Sequence, residues 1–321
     1  MVHLLDLIMH GAIQRTFHHD PALLEESIAY LVTDPSGSYV DGTLGGGGHS
    51  EAILRKLSKG GQLIGIDRDE TALEFAKERL RSYSRFQAVH SPFSEIGSVL
   101  DSLEIQIISG ILLDLGVSSP QIDEGKRGFS YMTDGPLDMR MSAEDTLSAA
   151  DIVNTYPERE LADLIYQYSE ERLSRRIARL MVRKREENPI KTTQNLAEIV
   201  RQCVPGKHQI KSLSRVFQAL RIATNRELDQ LRDCLVGCYP YLAPFARVVV
   251  ITYHSLEARM VKRFFRGDDP SFSREDPISP MPKYHFRILT KKAIVPSNTE
   301  IERNPRARSA ALRCAERTES P

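Results

Sequence analysis

No apolar run in this 321-residue chain is long enough to cross a bilayer. Stretches such as Ile107–Leu115 and Val248–Tyr253 fall far short of the roughly 20 residues a spanning helix needs. The N-terminal stretch Met1–His10 is apolar but has no basic flank and no A-x-A cleavage site, which argues against a signal peptide. The formal net charge is zero, which argues against a simple polyanion-coating protein. There are four cysteines, Cys203, Cys234, Cys238 and Cys314, with no C-x-x-C pair and no histidine at zinc-finger spacing. Buried thiols in a reducing compartment follow, with no metal site expected. Low-complexity tracts and internal repeats are also missing. These absences leave a soluble, cytoplasmic globular protein.

What is present is ordinary in amount and uneven in placement. With 41% hydrophobic and 27% charged residues, the chain can bury a substantial core in one large domain or two. Residues 246–317 carry 15 Lys/Arg against 8 Asp/Glu, so a basic surface can exist on a neutral protein.

From Ser38 onward, strands alternate with helices. Ser38–Thr43, Gln62–Asp67, Phe86–His90 and Ile107–Asp114 read as strands, the last apolar on both faces as a central parallel strand should be. Helices are expected at His49–Leu57 and through Ala72, Phe75, Ala76 and Leu80. This alternation implies βαβ units and a doubly wound, mostly parallel sheet. The rhythm then breaks. Residues 120–145 read as an ordered loop, and Leu147–Val204 as helical without a strand. A helix Ser214–Val236 leads to a strong strand Ala246–Tyr253 and a helix Ser255–Phe265, with weaker strands at His285–Leu289 and Arg308–Cys314. The expected organisation is one α/β domain, 1–123 with 213–321, split by an all-helical insertion over 124–212.

The first strand runs into Asp41-Gly-Thr-Leu-Gly45-Gly-Gly-Gly48-His49. Glycines let the backbone approach a ligand, and the next helix offers free N–H groups. A phosphate binder uses the same device, but the third glycine of G-x-G-x-x-G would fall on Ser50. Asp41, just before the glycines, suits an ammonium and repels a pyrophosphate. S-adenosylmethionine carries an ammonium and no phosphate. Asp67 ends the second strand, where an acid accepts ribose hydroxyls. Phe93, past the third strand, can lie against an adenine face. Asp114 ends the fourth strand beside the same crevice. Taken singly, each has a bland reading: a helix cap for Asp67, core for Phe93, a turn former for Asp114. Their recurrence at successive strand ends favours a nucleoside site.

Six segments carry a resemblance. Asp41–His49, Asp114-Leu-Gly-Val-Ser-Ser-Pro-Gln121, Arg127-Gly-Phe-Ser, Asp134-Gly-Pro-Leu-Asp-Met-Arg-Met141, Tyr253-His-Ser-Leu-Glu257 and Asn304-Pro-Arg-Ala-Arg-Ser309 resemble the RsmH (MraW) family. Members are small-subunit rRNA cytosine-N4 methyltransferases, and the likeness runs from about His19 to Arg317. It implies a class I S-adenosylmethionine methyltransferase fold, split by a helical substrate-recognition domain. It also implies cofactor contacts at Gly47, Gly48, His49, Asp67, Phe93, Asp114 and Gln121. The implied partner is 16S rRNA in the small subunit or a late assembly intermediate, with cytosine 1402 of the decoding region as target. No membrane is implied, and a homodimer is left open.

Cytosine N4 is a poor nucleophile because its lone pair is delocalised into the ring. Its methylation needs alignment with the sulfonium methyl and an acceptor for the N–H hydrogens. The Asn/Asp-Pro-Pro-aromatic turn of many amino-methyltransferases is replaced here by Asp114–Ser119. Candidate acceptors are therefore the backbone carbonyls of 115–118, the Ser118 hydroxyl and Asp138, with His254 taking the proton later. The structural alternatives are pairing of Asp138 with Arg140 or Arg127, and a satisfied structural histidine at 254. For RNA, Arg172, Arg175, Arg176, Arg179 and Arg183 recur at helical spacing within Glu170–Lys184. A C-terminal cluster of Lys291, Lys292, Arg303, Arg306 and Arg308 is the second candidate. The competing functions are a methyltransferase on another nucleic acid or on protein, a nicotinamide dehydrogenase, and a non-catalytic RNA-binding assembly factor.

Overall fold

The computed structural model describes residues 20–142, 144–268 and 284–319; the apolar stretch Met1–His10 lies outside them. The chain divides into two compact units. One runs to Gly116 and resumes at Leu228; the other is Val117–Glu227.

The first unit is built on a seven-stranded sheet. Its strands are β1 (Ser38–Asp41), β2 (Gln62–Asp67), β3 (Phe86–His90), β4 (Ile108–Asp114), β5 (Leu242–Thr252), β6 (Phe286–Ile288) and β7 (Ala311–Arg317). Their order is β3-β2-β1-β4-β5-β7-β6. Strands β1 to β5 are parallel, whereas β7 runs antiparallel to both β5 and β6. This is the doubly wound, mostly parallel sheet that the alternating pattern predicts. Helices Gly48–Lys56, Glu70–Leu80 and Ile96–Ser102 return the chain between the first four strands. Ile111–Leu113 of β4 and Val248–Ile251 of β5 are wholly buried, which is why these strands lack a polar face. The winding reverses between β1 and β4, and ligands of open parallel sheets bind beyond the carboxyl ends at such a switch.

Several boundaries differ from expectation. The fifth strand starts at Leu242, not Ala246; its register against β4 shifts between Ile108 and Gly110, and Phe245 sits at φ 66°. Arg308 is not in a strand: Pro305–Ser309 forms a 3-10 turn, with the Asn304 side chain accepting from Arg306 N. Strand β7 therefore begins at Ala311.

The single helix expected at Ser214–Val236 is two, Gln209–Asn225 and Glu227–Cys238. Arg226 breaks them at φ 50°. Neither Gly nor Pro marks the break. It is held by tertiary bonds: the buried Asn225 donates to Met139 O and accepts from Met141 N. The second unit accordingly spans 117–227, wider than the expected 124–212, because the whole helix Gln209–Asn225 contributes to its core.

That core joins Leu161 and Ile165, Ile177 and Met181, Leu196 and Val200, and Val216 and Leu220, each pair one turn apart on a successive helix. A break at Glu170, φ 54°, separates Glu158–Ser169 from Ser174–Glu187. The helix expected from Glu170 thus starts four residues later, which leaves Arg172 on the connecting turn. Of the loop expected over 120–145, the first residues belong to a short helix, Ser119–Asp123, and a 3-10 turn, Gly125–Arg127, and the stretch that follows is tied down by hydrogen bonds. Leu137 N donates to Lys191 O, Met139 N to Arg127 O, and the Arg127 guanidinium to the carbonyls of Arg140 and Met141.

Candidate active site at the strand ends

Strand β1 ends in a turn that its own side chains tie down. The carboxylate of Asp41, 1% exposed, accepts from Thr43 N at 3.2 Å and Ser50 Oγ at 2.7 Å. Gly47 turns at φ 74°, which permits the chain to enter the helix beginning at Gly48. At Gly48 a Cβ atom would lie 2.4 Å from Pro21 Cγ, so only glycine lets residues 20–23 cross there. The turn also reaches the neighbouring strands. Gly45 N donates to Asp67 Oδ2 at 2.7 Å, and Asp114 N to Thr43 Oγ1 at 2.6 Å.

Asp41, Asp67 and Asp114 thereby stand at the carboxyl ends of three adjacent strands. Burial pushes Asp41 up to about 6, against the pull of its bonds to Ser50 and Thr43 and with a push from Asp67. Burial likewise raises Asp67, and it pushes Asp114 up to about 7. Tyr253 Oη pulls Asp114 back by donating at 2.9 Å, while the charges of Asp41 and Glu257 push it further. The helix cap beside Asp67 is Asp69, which accepts from Thr71 N. Asp67 therefore has no capping role. Its two oxygens accept from Gly45 N and Asp69 N, with the Arg68 backbone N–H acting on the same group, and a carboxylate offers about four acceptor sites in all, so some capacity remains for a ligand. Asp41 differs in being buried within the turn, where its two oxygens accept from Thr43 N and Ser50 Oγ.

His49 lies between two of these elements. Its Nε2 is 3.1 Å from Ala22 O, which can only accept, and its Nδ1 is 3.7 Å from Asp114 Oδ2. Phe93 begins the 3-10 turn after β3 and is half-buried; a Cβ built on Gly42 would lie 3.6 Å from Phe93 Cβ. Gly47, Gly48, His49, Asp67, Phe93, Asp114 and Asp41 are thus brought together by the first unit. Gln121 belongs to the second, where its Oε1 accepts from Ser118 N at 3.0 Å.

The proton acceptors proposed from sequence fare differently. Arg140 grips Asp138 with two bonds, Nε to Oδ1 at 2.6 Å and Nη2 to Oδ2 at 2.8 Å. Burial raises Asp138, but the bonds and charge of Arg140 outweigh it and hold the group below the usual carboxylate range. The pairing of Asp138 with Arg140, one of the two uses expected for this carboxylate, is present in the loop. His254 caps the helix Ser255–Phe265: its Nδ1 accepts from Glu257 N at 3.4 Å. Its Nε2 lies 3.1 Å from Glu257 Oε1 without the alignment of a hydrogen bond. The ring thus caps a helix through one nitrogen, while the other makes no hydrogen bond. Ser118 spends its backbone N–H on Gln121.

The basic residues are at the surface. Arg172, Arg175, Arg176, Arg179 and Arg183 are all exposed, with Arg179 Nε 3.5 Å from Glu158. So are Lys291, Lys292, Arg306 and Arg308, while Arg303 pairs with Asp20 at 3.1 Å. Among the described residues, no helix is long and apolar enough to cross a membrane.

Sequence reasoning misses Thr43, Ser50, Tyr253 and Glu257. It marks Ser50 only as an absent glycine. Tyr253 and Glu257 stand in a segment singled out for resemblance, where His254 alone receives a role.

The profile of the MraW methylase family matches residues 16–318. A ribosomal RNA small subunit methyltransferase H from Clostridium botulinum (strain Kyoto / Type A2) is 49% identical over 306 residues, covering 92% of this chain and 98% of that one. The protein of the same name from Caldicellulosiruptor saccharolyticus is 46% identical over 305 residues, covering 94% and 99%. That from Brevibacillus brevis is 46% identical over 316 residues, covering 94% and 98%.

Proposed function

Because this chain belongs to the MraW methylase family, we propose that it transfers a methyl group from S-adenosyl-L-methionine to the exocyclic N4 of a cytosine in small-subunit rRNA. The target under this reading is cytosine 1402 of the decoding region. The observation that carries the donor site is the set of three acids at the ends of β1, β2 and β4, tied to one glycine turn. The donor set fits a cationic nucleoside: it is acidic, and Asp67 keeps acceptor capacity for a ribose hydroxyl. When bound, S-adenosylmethionine supplies an electrophilic methyl on a sulfonium.

The chain's own residues do the rest. Gly47 and Gly48 let the backbone approach, and the first turn of Gly48–Lys56 presents backbone N–H groups to a carboxylate. Phe93 offers a ring for the adenine face. Asp41 organises the turn from within, and Asp114 adds negative charge at the end of β4. With Asp138 held by Arg140 and His254 holding a helix start, the acceptors left for the N4 hydrogens are the carbonyls of 115–118 and the Ser118 hydroxyl. Gln121 contacts the cofactor in this reading, and the unit 117–227 recognises substrate. The arginines from 172 to 183, with Arg306 and Arg308, contact rRNA phosphates. The protein works in the cytoplasm, on the small subunit or a late assembly intermediate.

Mass analysis of small-subunit rRNA from cells lacking the protein tests the whole reading. Loss of N4-methylcytosine, restored by the wild-type gene but not by Asp67→Ala, is expected. An unchanged methylation level would overturn it.

A further inference from the structure

The end of β5 carries a side chain bonded to Asp114. Strands β4 and β5 run side by side with Asp114 opposite Ile251, so the residue two beyond Ile251 can reach back to Asp114. Tyr253 does so, its phenol donating to Asp114 Oδ1 at 2.9 Å. The ring is itself held at its base. Glu257, 3% exposed, accepts from Tyr253 N at 2.8 Å and from His254 N at 3.3 Å through the same oxygen, Oε2. On the other side, the chain leaving Asp114 bends past the ring. Gly116 sits at φ 103°, and a Cβ there would lie 3.4 Å from Tyr253 Cδ2. The backbone of Asp114 is pinned separately, through its N–H to Thr43 Oγ1.

We propose that Tyr253 is the positioning residue for Asp114: its phenol holds one carboxylate oxygen so that the other stays turned towards His49, at the cofactor end of the sheet. The inference rests on the reading of this site as the S-adenosylmethionine site, and it gives the Tyr253–Glu257 segment a use. Glu257 fixes where the strand becomes a helix, that junction aims the phenol, and the phenol aims the acid. Without the O–H, the Asp114 carboxylate loses the 2.9 Å bond that fixes Oδ1, and the contact of Oδ2 with His49 Nδ1 at 3.7 Å is too long to fix a rotamer by itself.

The groups facing this pair come from four elements besides β4. Asp41 at the end of β1 and Glu257 in the helix after β5 both push protons onto Asp114, His49 faces its Oδ2, and Glu300 faces Tyr253. Burial, then the Asp114 charge, keeps the phenol protonated, so it remains a donor across the working range. Because the donated bond favours the ionised acid, its removal moves the Asp114 titration to higher pH.

The test is calorimetric titration of S-adenosylhomocysteine into the full-length protein and its Tyr253→Phe, Asp114→Asn and doubly substituted variants, from pH 5.5 to 8.5. Phenylalanine keeps the ring against Gly116 and deletes only the hydroxyl. Tyr253→Phe is expected to weaken binding about tenfold at pH 7, the loss typical of one bond to a charged group. It should also shift the pH at which affinity falls upward. In the Asp114→Asn background, the same substitution should cost nothing further, which a merely structural role would not produce. Wild-type affinity and pH profile in Tyr253→Phe, or an undiminished loss in the Asn background, would overturn the inference alone. If Asp114→Asn leaves affinity unchanged at every pH, the reading of the site falls, and this inference with it.

Discussion

The hydroxyl of Ser50 donates to Asp41 Oδ2 across 2.7 Å, inside the turn that joins the first strand to its helix. Position 50 is where a dinucleotide-binding turn would carry its third glycine. A side chain there exchanges close helix–strand packing for a bond that keeps a buried acid in place.

Ser50→Ala should cost more at high pH than at low. Asp41 stands at about 6, so it is charged at pH 8 and largely neutral at pH 5. Deleting a donor to a buried charge costs about 1–3 kcal/mol, and deleting one to a neutral acid less. Urea unfolding at both pH values measures the difference, and equal losses would refute the electrostatic role.

Asp114 should make the protein less stable as pH rises. An acid raised by folding binds its proton more tightly in the folded state. Its contribution is therefore full below the unfolded value of about 4 and is lost as pH climbs through about 7. Asp114→Asn should flatten that decline, with a relative gain on the order of a few kcal/mol at pH 8. Thermal unfolding of the ligand-free protein between pH 5 and 8 reads it directly; parallel curves for the two proteins would contradict the assignment.

Asp138 and Arg140 should behave as one unit. If the carboxylate folds the loop, Asp138→Ala and Arg140→Ala each lower rRNA methylation and stability to a similar degree. The double variant should then lose little more than either. Abolished methylation in Asp138→Ala beside near-normal activity in Arg140→Ala would return the acid to a catalytic role.

The exposed arginines should carry salt-dependent affinity. Replacing Arg175, Arg176 and Arg183 by alanine should lower the slope of log affinity against log salt by about one for each phosphate no longer neutralised. Filter binding to a small-subunit rRNA fragment at several salt concentrations measures it. An unchanged slope would make these residues a solvated face.

Patterns whose cause is local were legible without the structure. β2 and β3 start and stop where their periodicity does, and the helix Ser255–Phe265 where its cap and apolar face put it. The run Asp41–His49 announced its turn because glycine adopts the left-handed angles used there, at Gly45 and Gly47, without the cost other residues bear. The break at Arg226 was invisible, since an ordinary residue holds a left-handed angle for the sake of Asn225 and the distant Met139 and Met141. The first residues of β5 were lost for a similar reason: a register irregularity against β4 follows from pairing, which no window of sequence contains.

The same division runs through the site. By itself, the sequence determined that acids end three strands beside a glycine turn, because strand period and residue type are properties of the chain. Tertiary structure alone decided what each acid does. Asp41 is held by Ser50, Asp138 is taken by Arg140, and Asp114 is gripped by Tyr253 from 139 residues away. A carboxylate's role depends on which donors fold against it and how much water they exclude, and only the packed chain sets both.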